Sequence, residues 1–124
     1  MRLLLDTNVL IWWLEDSPRL GKKTRDVIAE EPEVVVSAVS AVEIAAKAAS
    51  GKLQEPGDLA VQIAEQMMIE LPVTVRHGLA AGRLPTHHRD PFDRLIIAQA
   101  RCEELTIITA DRAFAAYDVP ILPA

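Results

Sequence analysis

Four acids, Asp6, Glu43, Asp93 and Asp111, lie far apart along the 124-residue chain, yet each stands where a strand run gives way to a helix or a helix begins. Asp6 closes the run LLL, and Glu43 lies one turn into the helical pattern after EVVV. Asp93 sits one turn into RDPFDRLIIAQA, and Asp111 follows TIITA. Two carboxylates about 4 Å apart repel by about 4 kcal/mol at an effective dielectric near 20, so a cluster needs protons or a divalent cation. Magnesium and manganese are hard ions that accept carboxylate oxygens and suit sites that also hold phosphate. No histidine or cysteine pair has zinc spacing. His87 and His88 are adjacent, cannot share a helix face, and read as an exposed loop.

The elements that position these acids alternate. Arg2–Leu5, Glu33–Val36, Leu71–Thr74 and Leu105–Thr109 read as strands, with Val119–Leu122 as an edge strand because Pro120 lacks a ladder donor. Between them the patterns predict helices over Thr7–Leu14, Lys22–Glu30, about Ser40 to Ala49, about Asp58 to Glu70, a stretch ending near Gly82, Pro91 to about Glu103, and Arg112–Ala116. Such alternation implies right-handed parallel crossovers and a sheet covered on both faces. Chemistry in open parallel sheets gathers at the carboxyl ends of the strands. The helix holding Asp93 runs antiparallel to Leu105–Thr109 and therefore starts near that same edge.

Each acid also has a local reading. Asp6 and Asp111 can cap helices, Ser40-x-x-Glu43 fits a capping box with Lys47 as an i+4 partner, and Asp90 before Pro91 is a helix start. The residues alone leave cap and cation ligand both open. Asp93 is harder to explain locally, because an acid one turn into a helix entering the core must face a pocket or a partner.

Composition bounds the rest. The length predicts one domain over residues 1–124, and 50% hydrophobic with 25% charged residues is globular composition. A 4% aromatic fraction leaves few rings for base stacking, and a net charge of −5 argues against binding through an overall positive field. Cys102 is the only cysteine, so no internal disulfide forms, which fits a reducing cytosol. Asp6 and Asn8 interrupt the leading apolar run, against an export signal, and no run approaches the ~20 residues of a membrane span.

LLLDTN, VVSAVSAVEIAAK, RDPFDRLIIAQA and TIITADRAF, in this order over nearly the whole chain, resemble the PIN domain, and within it the VapC-like toxins of prokaryotic toxin–antitoxin pairs. The resemblance implies a three-layer α/β/α sandwich around a mostly parallel sheet of about five strands. It implies a cytoplasmic endoribonuclease that uses Mg²⁺ or Mn²⁺ to activate water against RNA, typically a homodimer or a larger assembly with the cognate antitoxin that inhibits it. Carried over by position, Asp6, Glu43, Asp93 and Asp111 are the catalytic, metal-holding quartet. Thr7, Asn8 and Thr109 match the small polar positions supporting it, with Asp90 as the helix start.

Arg89, Arg94 and Arg112 flank the acids and are candidates for holding substrate phosphate. Lys22, Lys23 and Arg25 form a small positive cluster that reads either as a solvated helix face or as an RNA contact. Trp12 and Trp13 lie on a helix apolar on nearly every side and are either buried or turned to a partner. Two rival functions remain: a binding-only protein docking a basic partner at its acidic edge, and a phosphotransfer domain. The second lacks both the phosphatase acid two places after Asp6 and a receiver lysine closing LTIIT.

Overall fold

The computed structural model describes residues 1–53 and 57–124. Among these, β1 (Leu3–Leu5), β2 (Val34–Ser37), β3 (Ile69–Leu71), β4 (Thr106–Thr109) and β5 (Ile121–Pro123) form one sheet in the order β3-β2-β1-β4-β5. Every pairing is parallel, with Leu4 opposite Val35 on one side and Ile107 on the other. The helices are α1 (Thr7–Leu14), α2 (Lys22–Glu30), α3 (Ala38–Ala49), α4 (Leu59–Glu65), α5 (Val75–Arg83) and α6 (Pro91–Glu103), and a 3₁₀ turn spans Arg112–Ala116.

Alternation along the strands builds two cores. Leu4, Val35 and Ile107 pack with Ala81, Ile96 and Ile97 beneath α5 and α6, whereas Leu3, Leu5, Val36 and Ile108 pack with Leu10, Ile28 and Ile63 beneath α1, α2 and α4. A sheet buried on both faces needs apolar residues at consecutive positions, which is why LLL and VVV lack a polar alternation. The result is the expected α/β/α sandwich. Trp12 and Trp13 are half-buried against the second core, and Trp13 Nε1 donates to Gln66 Oε1 at 3.0 Å.

Several boundaries differ from expectation, β5 among them, which takes Ile121–Pro123 rather than Val119–Leu122. Helix α4 stops at Glu65 because Met67 adopts φ 58°, the left-handed conformation usual for glycine, with Met68 N–H donating to Ile63 O and Met67 N–H to Ala64 O. Strand β3 then takes Ile69–Leu71 rather than Leu71–Thr74, ended by Pro72, which has no amide proton. Helix α3 begins at Ala38, capped by Ser37, whose Oγ accepts from Val39 N–H at 3.0 Å. Ser40 is therefore not a capping-box residue. It lies inside the first turn, buried, with its hydroxyl 2.9 Å from that of Thr7.

Helix α6 is tied to its surroundings by two polar side chains. Gln99, fully buried, accepts from Ser37 Oγ and donates to Pro72 O at 3.3 Å, linking α6 to the end of β2 and the exit of β3. Arg94 donates to the carbonyls of Ala81, Leu84, Pro85 and His88 at 2.8–3.1 Å, clamping the α5–α6 connection onto the start of α6. Arg94→Ala should cost about 2–4 kcal/mol and lower the melting temperature by roughly 10 °C, because partly buried carbonyls lose a charged donor. Lysine, a single point charge, should restore little of this in a thermal melt. An unchanged midpoint for Arg94→Ala would show that the clamp is idle.

Candidate metal centre

The strand order reverses at β1, whose neighbours β2 and β4 lead the chain toward opposite edges, and the crevice at such a point is where open parallel sheets hold ligands. Asp6 emerges from β1 there and Asp111 follows β4. Asp6 is the N-cap of α1, its Oδ1 accepting from Val9 N–H at 2.8 Å while Oδ2 accepts from the Thr109 hydroxyl. That hydroxyl also receives the Asp111 N–H at 3.0 Å, so one threonine couples the two acids. Asp111 caps the 3₁₀ turn through Oδ1, at 2.9 Å from Ala113 N, and leaves Oδ2 for the crevice. Capping thus occupies one oxygen of each acid; the second oxygen of Asp111 stays free of backbone, whereas that of Asp6 is held by Thr109. Asp90 caps α6 by accepting from Phe92 N–H at 2.9 Å, and Asp93 lies in the first turn beyond it.

His88 corrects the exposed-loop reading. It is half-buried, and its Nε2 lies 3.0 Å from Asp93 Oδ2 and 3.1 Å from Asp111 Oδ2. The signal in the sequence was its place two residues before the Asp90 cap, directly above the turn that carries Asp93. His87, its neighbour, is exposed and meets Tyr117 edge-on.

Glu43 approaches from α3. Its Oε2 is 3.2 Å from Lys47 Nζ, while Oε1 is buried with no hydrogen-bond partner among the described residues. The acids feel one another. Burial, opposed by the Thr109 and Val9 hydrogen bonds and reinforced by Glu43 and Asp111, raises the Asp6 pKa to about 6. Burial first, then the charge of Asp90, with Glu43 and Asp111 adding and His88 subtracting, raises that of Asp93 to about 7. A stranded buried oxygen, two acids held toward their protonated forms and a nearly all-oxygen donor set fit a hard dication.

The other expected residues separate. Thr7 is buried but bonds Ser40 rather than an acid, and Asn8 is exposed without a hydrogen-bond partner among the described residues. Arg89 and Arg112 are exposed and make no ion pair among the described residues. Arg94, expected with them, is not free: its guanidinium is occupied by the four carbonyls described above. Of the basic cluster on α2, Arg25 pairs with Asp16 at 2.8 Å, leaving Lys22 and Lys23 exposed.

Together these features define an α/β/α domain with a carboxylate centre at the switch point of its parallel sheet. The family model for the PIN domain matches residues 3–120, and the chain belongs to that family, with VapC-like relatives. It is 30% identical to Ribonuclease VapC22 of Mycobacterium tuberculosis, covering 95% of this chain and 93% of that protein. The fold is shared with VapBC2 from Rickettsia felis, solved bound to a promoter DNA fragment, at a TM-score of 0.76 and 17% identity over 99% of this chain and 98% of the other. It is also shared with FitAcB from Neisseria gonorrhoeae, at 0.70 and 21% over 97% and 96%.

Because the folded pKa values of Asp6 and Asp93 exceed the ordinary 3.8, the folded protein holds extra protons between about pH 4 and 7. Their contribution to stability is complete below pH 4 and is lost as pH rises through 6 and 7. Metal-stripped protein should therefore melt lower at pH 8 than at pH 5, and Asp93→Asn should raise the pH 8 midpoint by roughly 5 °C. A midpoint for the stripped wild type that stays flat or climbs over this range would contradict the clustering.

Proposed function

We propose that this chain is a VapC-like endoribonuclease, the toxin of a toxin–antitoxin pair, acting as a single domain on RNA phosphodiesters with Mg²⁺ or Mn²⁺. The observation carrying this reading is the buried Oε1 of Glu43, without a hydrogen-bond partner among the described residues, on an acid whose charge is felt by both Asp6 and Asp93. The identity to a named ribonuclease supports it further.

In this reading Asp6, Glu43, Asp93 and Asp111 hold the ion. A bound Mg²⁺ or Mn²⁺ supplies Lewis acidity toward water and toward a phosphoryl oxygen. The protein's own contribution is placement. Thr109 fixes the Asp6 and Asp111 geometry, Lys47 takes one Glu43 oxygen and leaves the other buried without a partner among the described residues, and Asp93, its pKa raised to about 7, would hold a cation only as the carboxylate. Arg89 and Arg112 are placed to meet backbone phosphates, which set register without reading base sequence.

The antitoxin assignment draws on neighbours that are themselves VapBC or toxin–antitoxin complexes. Met67, Ile69, Val73, Val75 and Leu79, all exposed within one stretch of chain, supply apolar surface for a protein partner, either a second copy or the antitoxin that inhibits the enzyme. No helix among the described residues is long and apolar enough to cross a membrane. A cytoplasmic setting is part of the same reading.

Purified chain freed of its partner should cleave RNA with Mg²⁺ or Mn²⁺ and stop when chelator is added. Asp93→Asn should lose about 100-fold or more in rate, roughly 3 kcal/mol of transition-state stabilisation. Tight partner binding without any metal-dependent cleavage would instead identify a non-catalytic domain that docks a basic partner on its acidic edge.

A further inference from the structure

His88 is close enough to Asp93 and Asp111 to be mistaken for a nitrogen ligand, since one atom from each of the three lies within 4.8 Å of the others. Its second ring nitrogen argues otherwise. The Asp90 backbone N–H points at His88 Nδ1 at 3.3 Å. A backbone amide always carries its proton, so Nδ1 must accept, and the ring proton sits on Nε2. A ligand role at Nε2 would move that proton to Nδ1 and set it against the amide proton of Asp90.

We infer that His88 is a positioning residue whose Nε2–H donates to Asp111 Oδ2 at 3.1 Å with Asp93 Oδ2 3.0 Å from the same nitrogen, aiming the two carboxylates before the cation arrives and leaving an oxygen-only donor set. The inference rests on the metal-dependent reading above. The Asp111 oxygen has two lone pairs, so accepting from His88 leaves one for an ion. Asp93 depends on the ring most. Asp6 and Asp111 accept from backbone or hydroxyl donors, whereas the polar group against the Asp93 carboxylate among the described residues is the His88 ring nitrogen, 3.0 Å away.

The ring is itself held on several sides. The His88 N–H donates to Tyr117 Oη at 2.7 Å, and that hydroxyl donates to Pro85 O at 2.8 Å. The His88 carbonyl accepts from Arg94 at 3.1 Å, and its ring meets Phe114 edge-on, centroids 5.9 Å apart. Loop, 3₁₀ turn and α6 therefore converge to fix one imidazole, the kind of support that outer partners give to metal ligands.

The test uses the full chain at pH 8, with Mn²⁺ and Mg²⁺ titrated by calorimetry. His88→Ala should weaken both ions by about 10–100-fold while leaving their ratio unchanged, and His88→Gln, which keeps an N–H donor, should recover much of the loss. Imidazole ¹⁵N spectra of the wild type should place the proton on Nε2 both without metal and with saturating Mg²⁺, a readout independent of any variant's folding. Wild-type affinity in a folded His88→Ala would overturn the inference. So would transfer of the proton to Nδ1 on Mg²⁺ loading, or a changed Mn²⁺ to Mg²⁺ ratio in His88→Ala, either of which would make the ring a ligand. If the wild type bound neither ion, the nuclease reading would fall and this inference with it, whereas ion binding indifferent to residue 88 would sink the inference alone.

Discussion

Mutual repulsion among carboxylates is the constraint around which this molecule is arranged. Asp6, Glu43, Asp93 and Asp111 reach the crevice from β1, α3, α6 and the exit of β4, and desolvation makes the charges of Asp6 and Asp93 harder to hold than in water. A fold that only maximised stability would separate them or replace them with apolar side chains. Keeping them together is a local conflict between stability and placement, and such conflicts mark functional sites. The conflict is softened by dividing labour between oxygens. Asp6 and Asp111 each give one oxygen to a helix or turn N-terminus, where partial positive charge is available, and Glu43 gives one to Lys47.

Most of the architecture was legible because the parallel sheet writes itself plainly in sequence. LLL, VVV and TIIT are apolar on both faces, Pro91 marks the start of α6, and the bounds of α1, α2 and α6 follow directly from periodicity and capping. What was not legible depended on conformations that residue type does not announce. Met67 in the left-handed region ends α4 where a glycine would have been the recognisable sign, and the direct passage of β2 into α3 puts the cap at Ser37 instead of Ser40. The residues on both sides of a boundary can be read correctly while the boundary itself is set by a single φ angle.

The site shows the same division. Acids at strand exits could be found from topology, because parallel crossovers send every strand's carboxyl end to one edge. Arg94 and His88 could not be assigned correctly from type and adjacency, and they were misread in opposite directions. Arg94 stands beside an acid and looks free, yet the loop turns its own carbonyls inward and takes up the guanidinium. His88 looks like a loop residue, yet that same loop delivers its ring to the acids. Both outcomes belong to one local fold, in which Arg94 binds the carbonyl of the residue whose side chain reaches Asp93.

That coupling changes the meaning of the basic residues around the site. With Arg94 withdrawn into the scaffold and Lys47 engaged with Glu43, the arginines next in sequence to the acids that make no ion pair among the described residues are Arg89 and Arg112, both exposed. A chain of net charge −5 therefore presents an anionic crevice with a sparse cationic rim, a poor match for a polyanion until a dication inverts the local field. On the proposed reading, recruitment of the ion and recruitment of a phosphodiester would be one electrostatic event: a cation that made the acids tolerable to one another would also make the crevice tolerable to phosphate.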